Sequence, residues 1–114
     1  MKELKVIAIF KINKGELKRF KHLCEQMIAI VEEKDPGTTT YDWYLDEGNM
    51  ECTVFETYVD SDAVLAHLTN LGEYLAELME ISNLTIELYG SPNEELLKAS
   101  ESMHLKIVPY FAGL

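Results

Sequence analysis

The stretch that decides the fold reads FETYVDSDAVLAHL and covers residues 55–68. Its first part has the composition and the alternation of a half-buried β-strand. Asp60 or Ser61 can then cap a helix whose apolar side chains recur at helical spacing. A strand therefore runs directly into a helix, and this junction carries Glu56 and His67 toward one another.

The segments before this junction predict two further strands and a helix. Residues 4–12 carry large apolar groups on both faces, which indicates a strand buried on two sides. A capping sequence at residues 13–16 precedes helical spacing over residues 17–31, and the Asp-Pro-Gly sequence at residues 35–37 ends that helix because proline cannot extend it. Beyond this helix, large apolar residues recur at every second position on both sides of a turn at residues 46–49. This alternation predicts a β-hairpin.

The order of these elements predicts the fold class. Asn70 and Gly72 are candidate break points in the helix that follows the junction, and residues 84–88 alternate as a fourth strand. The order βαββαβ is the ferredoxin-like arrangement of an α+β domain, with a four-stranded antiparallel sheet and both helices on one face. The other face also carries apolar groups. We therefore expect a homodimer in which two sheets face each other and form an α/β barrel.

The end of the chain predicts a C-terminal helix and an extended tail. A capping box begins at Ser91, with Pro92 at the first helical position, and predicts a short helix. Pro109 confines the extended stretch that follows to a sheet edge or a loose tail. We expect residues 1–90 to form the ferredoxin-like domain and residues 91–114 to be part of the same domain.

Composition excludes several classes of partner. The chain has 114 residues and a formal charge of -10, which repels nucleic acid and anionic lipid surfaces. Its longest apolar run, Val6 to Phe10, is far shorter than the roughly 20 residues of a membrane helix, and no secretory pattern precedes it. We expect a cytoplasmic protein that binds neither nucleic acid nor membranes.

Cysteine and histidine residues predict no metal site. Cys24 and Cys52 each lie among apolar neighbours, which favours two buried, reduced thiols over a disulfide or a redox role. His22, His67 and His104 have no metal-ligand spacing with Cys, Asp or Glu.

His67 is the first candidate catalytic residue. At about 100° per helical residue, with Val64 at zero, His67 lies near 300° and Tyr74 near 280°, side by side at the rim of the apolar stripe. A histidine there can reach a pocket between helix and sheet and act as a general base or as a hydrogen-bond donor to a phenolate. The alternative is a boundary histidine with one structural hydrogen bond.

Glu56 is the second candidate, because its strand neighbours on the same face are apolar or aromatic. A carboxylate there needs a partner. It can hold His67 in one tautomer, accept a hydrogen bond from Tyr41 or Trp43, or bind a ligand hydroxyl. The alternative is a structural hydrogen bond within the sheet or across a dimer interface.

Aromatic side chains on the predicted strands form a third group of candidates. They are the kind of lining expected around a flat organic ligand, and the alternative is that they serve the core or a dimer interface. The group consists of Phe10, Tyr41, Trp43, Phe55 and Tyr58.

The chain resembles the antibiotic biosynthesis monooxygenase (ABM) family over residues 4–90. The matching sequences are Val6 to Ile12 followed by Lys14-Gly15, Asp35-Pro36-Gly37 before Tyr41, Phe55-Glu56-x-Tyr58, and Ala66-His67-Leu68. The resemblance implies a dimer of ferredoxin-like subunits and, in some members, oxidation of quinols or phenols by O2 without a bound metal or flavin. It implies His67 and Glu56 as catalytic residues. The implied substrate-binding residues are Tyr58, Trp43, Tyr41, Tyr74 and Phe10.

The chain also departs from this family pattern. The heme-degrading branch carries an Asn where this chain has Ala8, and an axial His near the position of Glu77, so heme is disfavoured. No cofactor is expected. Tyr58 stands in the usual Trp position, and a second His found in many relatives is replaced by Asn70. The predicted function is a cofactor-independent monooxygenase acting on a quinol or another electron-rich aromatic molecule. A non-catalytic dimeric domain that binds a small ligand is the alternative.

Overall fold

The structure, a computed structural model, describes residues 2–114, so the predicted domain start at Met1 lies outside the described residues. Within this range the strands are β1 (Leu4–Ile12), β2 (Thr38–Asp46), β3 (Glu51–Tyr58), β4 (Ser82–Tyr89) and β5 (Leu105–Val108). The helices are α1 (Leu17–Lys34), α2 (Ser61–Leu71), α3 (Glu73–Glu80) and α4 (Glu94–Ala99). No helix in residues 2–114 is long and apolar enough to cross a membrane.

The sheet is larger than the predicted one. Its strand order is β2-β3-β1-β4-β5, and the first four strands are antiparallel as predicted. β5 adds a fifth strand parallel to β4, so the prediction of a four-stranded, purely antiparallel sheet is wrong. The reason is the connection: residues 90–104, which include α4, are long enough to return the chain in the same direction. Pro109 follows β5 directly and lacks the N–H that would extend the ladder.

Local signals explain most helix ends, with two differences from the prediction. Asp60 caps α2 by accepting a hydrogen bond from the backbone N–H of Ala63 at 2.9 Å. In α4 it is Asn93 that accepts from the backbone N–H of Leu96, so Pro92 precedes the cap instead of starting the helix. At α1 the capping sequence does not act as predicted, because Glu16 occupies the N-cap position without a side-chain hydrogen bond.

Gly72 separates α2 from α3, as one of the two predicted break points. Its backbone has φ +44° and ψ -115°, a conformation that favours glycine because it lacks a Cβ atom. The helical phase is therefore reset between the two helices. Both pack with α1 on one face of the sheet, and the buried side chains between helices and sheet include the free thiols of Cys24 and Cys52.

Candidate active site

A cavity lies between the sheet and the helices that cover it. It measures about 70 Å³ and is lined by side chains from all five strands and from α1 to α4. Its polar side chains are concentrated at the end formed by β2, β3 and α2, where Tyr41, Glu56, Tyr58 and His67 meet. The strand-to-helix junction predicted from the sequence therefore places Glu56 and His67 in one cavity.

His67 lies inside the core and not at its rim as predicted. Its side chain is only 6% exposed, and its ring packs edge-on against Tyr41 and Tyr58 with centroid distances of 5.2 and 5.3 Å. The rim prediction was wrong because the helical wheel of α2 describes one helix, whereas the side chains that cover His67 come from β2 and β3.

Asp35 is the residue that holds His67. Its Oδ2 lies 2.7 Å from Nδ1 of His67, and the carboxylate is almost fully buried, at 1% side-chain exposure. Its Oδ1 accepts a hydrogen bond from the side-chain amide of Asn70, which also donates to the carbonyl of Lys34 at 3.3 Å. Asp35 is the C-cap of α1, and Asn70 is on α2, so this cluster joins the two helices.

Sequence reasoning missed Asp35, because it took the Asp-Pro-Gly sequence only as a helix stop. One signal could have found it. A negative charge is unfavourable at the C-terminal end of a helix, where the last carbonyls already carry partial negative charge. An aspartate at that position therefore needs a partner, and His67 and Asn70 provide it.

The Asp35 contact fixes the tautomer of His67. Both oxygens of Asp35 accept hydrogen bonds, so Nδ1 carries the proton and Nε2 is left as an acceptor. Burial lowers the pKa of His67, and the hydrogen bond to Asp35 opposes that change. His67 is therefore a neutral imidazole with a free lone pair on Nε2, which lies 3.8 Å from Oε1 of Glu56.

Of the contacts predicted for Glu56, the structure shows the alternative one, a hydrogen bond within the sheet. The Glu56 side chain is 10% exposed and accepts a hydrogen bond from the Tyr58 hydroxyl, not from Tyr41 or Trp43. Burial raises the pKa of the Glu56 carboxyl to about 7, against the opposing effect of the Tyr58 hydrogen bond. Asp35, and not Glu56, contacts Nδ1 of His67, so the predicted orienting role of Glu56 is not what the geometry provides.

Trp43 brings an unused hydrogen-bond donor to the cavity. Its indole ring stacks on Phe10 with a centroid distance of 6.0 Å and contacts the edge of Tyr41 at 5.4 Å. Its Nε1 is buried and has no hydrogen-bond partner within residues 2–114. Because an unpaired buried donor is unfavourable by about 1–3 kcal/mol, this N–H is suited to an oxygen atom of a ligand or of a bound water.

Six of the eight candidate residues line the cavity, whereas Phe55, 43% exposed, and Tyr74 do not. The six are Phe10, Tyr41, Trp43, Glu56, Tyr58 and His67. Tyr74 lies beyond Gly72 on α3 and is 36% exposed. Its predicted place beside His67 assumed one continuous helix, and the break at Gly72 invalidates that assumption.

A few polar groups in the cavity can contact a ligand. Within residues 2–114 no three His, Cys, Asp or Glu side chains are grouped so that they could hold a metal ion. The polar groups that a ligand can contact include Nε2 of His67, the carboxyl of Glu56 and the indole N–H of Trp43. Apart from Ser100, the rest of the lining is apolar or aromatic.

Comparison with known proteins identifies the family. Residues 4–76 match the family model of the antibiotic biosynthesis monooxygenases, and the chain belongs to this family. No curated protein matches the chain.

Solved structures share the fold at low sequence identity. MupZ from Pseudomonas fluorescens superposes with a TM-score of 0.86 at 20% identity, covering 100% of this chain and 94% of that chain. Rv0793 from Mycobacterium tuberculosis superposes with a TM-score of 0.70 at 22% identity, covering 81% of this chain and 97% of that chain. SnoaB, a cofactor-independent oxygenase from Streptomyces nogalater, superposes with a TM-score of 0.66 at 14% identity, covering 82% of this chain and 96% of that chain.

Proposed function

We propose that the protein is a cofactor-independent monooxygenase that acts on a quinol or another electron-rich phenol. The observation that carries this proposal is the pairing of a neutral, buried His67 with Glu56, whose pKa is raised, in an aromatic-walled cavity. Membership of the monooxygenase family and the similarity to SnoaB, itself a cofactor-independent oxygenase, support it.

The distance between His67 and Glu56 suits the oxygen of a phenol. Nε2 and Oε1 are 3.8 Å apart. This gap is less than twice a hydrogen-bond length of about 2.8 Å, so one oxygen atom can contact both groups. Nε2 then accepts the phenolic proton, and the protonated Glu56 carboxyl donates a hydrogen bond to the phenolate that forms.

Deprotonation starts the proposed reaction because a phenolate releases an electron to O2 more readily than a phenol does. The resulting radical pair joins through a new C–O bond at a ring carbon that carries hydrogen. The O–O bond then breaks, one oxygen stays on the ring as a carbonyl, and the other leaves as water. A hydroquinone and O2 thus give a hydroxyquinone and one water, with all four electrons supplied by the ring.

Oxygen uptake tests this proposal, with substituted hydroquinones as substrates and the uncatalysed rate subtracted. We expect His67→Ala to lower the catalysed rate at least about tenfold, since general-base catalysis typically contributes 10²–10⁴-fold. The exposed His22 supplies the matched control, and His22→Ala should keep the wild-type rate. Isotope-labelled O2 should place one labelled atom in the quinone, and catalase should return no oxygen because no peroxide accumulates. Equal rates in His67→Ala and wild type would refute the role of His67.

A non-catalytic ligand-binding role is the second candidate, because the hydrogen bonds of Asp35 to His67 and Asn70 also join α1 to α2 and so have a structural use of their own. About 70 Å³ is below the usual size of a site for a drug-sized ligand, so bulky aromatic molecules would need the cavity to widen. In the ligand-binding case Asp35 and His67 would be purely structural. Phenol binding without any oxygen uptake would support this candidate over the monooxygenase.

We also propose that the protein is a homodimer formed by two sheets. The sheet face opposite the helices carries apolar side chains that the chain itself leaves open, among them Tyr44 and Phe55, which are 61% and 43% exposed. These two rings contact each other at 5.5 Å, and Phe55 lies opposite the half-buried Ile7 of β1 on the neighbouring strand. A second copy of this face would cover them with the same apolar groups.

A further inference from the structure

The last part of the chain builds one end of the cavity. This end lies beyond residues 4–76, which match the family model. The backbone N–H of Asn93 donates to Oγ of Ser61 at 3.0 Å and so anchors the start of α4 to the start of α2. The side chains that line this end are Leu84, Ile86, Leu88, Leu96, Ser100, Met103 and Leu105.

This end is apolar, in contrast to the end that holds His67. Ser100 is its one hydroxyl group among the lining residues, and that hydroxyl already donates to the carbonyl of Leu96 at 2.8 Å. β1 lies between β3 and β4, and neighbouring strands are about 4.8 Å apart, so the two ends are separated by about 10 Å. The cavity therefore has a polar end at β3 and an apolar end at β4 and β5.

Met103 lies between the apolar end of the cavity and a surface groove. Together with Leu84 it lines both the cavity and this groove, which measures about 310 Å³ and lies between the end of α3, the start of β4 and residues 102–104. Met103 is half-buried, and its unbranched thioether side chain adopts several shapes at little energetic penalty. A smaller side chain at this position would join the cavity to the groove.

We propose that the apolar end binds an apolar substituent of the substrate phenol. Met103 is then the specificity-determining residue that limits the length of this substituent. The proposal rests on the proposed function, because the phenol oxygen must lie at His67 and Glu56 for the substituent to point along the cavity. The substrate class is then a phenol with an alkyl chain or a ring on the side away from its hydroxyl group.

Trp43 provides a direct readout of this binding. It is the chain's single tryptophan and it lines the cavity, so its fluorescence reports occupancy when excited where tyrosine does not absorb. The probes are 4-alkylphenols of increasing chain length, titrated into wild type and Met103→Ala. We expect affinity to rise by about fourfold for each added methylene up to a limit, because each one buries further apolar surface.

The longest alkyl chain that binds should depend on the size of the side chain at residue 103. In Met103→Ala we expect chains about two methylenes longer to bind, with their affinity at least tenfold above wild type, since two methylenes add about that factor. Met103→Phe should shift the limit toward shorter chains. Met79 is the matched control, because it lines only the groove and is 41% exposed, so Met79→Ala should keep the wild-type limit.

Two outcomes would overturn the inference. An unchanged length limit in both variants of Met103 would refute it, while phenol binding and oxygen uptake would leave the proposed function intact. Absence of a Trp43 response to every alkylphenol would also refute it, and oxygen uptake with short hydroquinones then tests the proposed function separately.

Discussion

His67 is useful for chemistry because its two ring nitrogens have different surroundings. Nδ1 is committed to Asp35, whereas Nε2 faces Glu56 across 3.8 Å and remains free to accept a proton. Burial disfavours the charged form of both His67 and Glu56. Near pH 7 the Glu56 carboxyl therefore exchanges between its protonated and ionised forms beside a neutral His67, so the site can hold both an acid and a base at that pH.

Glu56 should make the stability of the protein fall as pH rises. Its pKa is raised from 4.5 to about 7, so its stabilising contribution is complete below pH 4.5 and is lost as pH rises through about 7. The loss is on the order of 3 kcal/mol by linkage. We expect Glu56→Gln to match wild type near pH 4.5 and to be more stable by up to that amount at pH 8, measured by urea unfolding.

His67 changes stability in the opposite direction. Its pKa is lowered from 6.5, so its contribution is present above pH 6.5 and is lost as pH falls through the lowered pKa. His67 is present in both proteins. The difference in the free energy of unfolding between wild type and Glu56→Gln therefore reports the contribution of Glu56 alone. The exposed Glu33 is the control. If Glu33→Gln changed the free energy of unfolding with pH as strongly as Glu56→Gln does, the raised pKa of Glu56 would not explain the pH dependence.

The position of α2 relative to the sheet depends on a close contact just before β2. A Cβ atom added at Gly37 would lie 2.6 Å from Cβ of Ala63 on α2, which is closer than two carbon atoms can pack. The carbonyl of Gly37 also accepts a hydrogen bond from the backbone N–H of Val59 at 3.0 Å. The strand-to-helix junction is thus held in place by the Asp-Pro-Gly turn that also supplies Asp35.

Gly37→Ala should therefore damage both stability and the site. We expect a loss of about 1–3 kcal/mol in the free energy of unfolding, because overpacking pushes α2 away from the sheet. His67 moves with α2, so oxygen uptake should fall as well. Gly48 provides the matched control, since a Cβ there meets only Oδ1 of Asp46 at an ordinary 3.7 Å. Equal stability of Gly37→Ala and Gly48→Ala in urea unfolding would contradict this account.

The charge of the whole chain should govern its association. Each copy carries a formal charge of -10, so two copies repel each other and added salt should strengthen the proposed dimer by screening that repulsion. Sedimentation velocity at increasing NaCl concentration measures this directly. We expect the dissociation constant to decrease as salt rises.

Sedimentation velocity of Phe55→Glu tests whether the open face of the sheet forms the dimer. It places a charge at the centre of the proposed interface and should raise the dissociation constant about 30-fold or more, the effect of losing a central interface residue. Ile28, 37% exposed on α1, is the control because it lies on the helical side. Ile28→Glu should leave association unchanged. A wild-type protein that sediments as a monomer at every salt concentration would refute the sheet-to-sheet dimer.

Local sequence patterns predicted the order of elements from β1 to β4, the hairpin and the break at Gly72. Periodicity, caps and turns act over a few residues, so they can be recognised without knowing the fold. β5 escaped this reasoning because its pairing with β4 depends on where residues 90–104 return the chain. Tyr74 was misplaced for a related reason, since one glycine changes the direction of every side chain after it.

By itself, the sequence determined the ferredoxin-like order and the meeting of Glu56 with His67, because a strand followed directly by a helix leaves few alternatives. Only the tertiary structure decided that Asp35 holds His67 and that Met103 lines the far end of the cavity. Asp35 is 32 residues from His67 along the chain, and their contact exists only after α1 and α2 pack on the same face of the sheet. Long-range packing, which no local pattern encodes, therefore decides which groups complete the site.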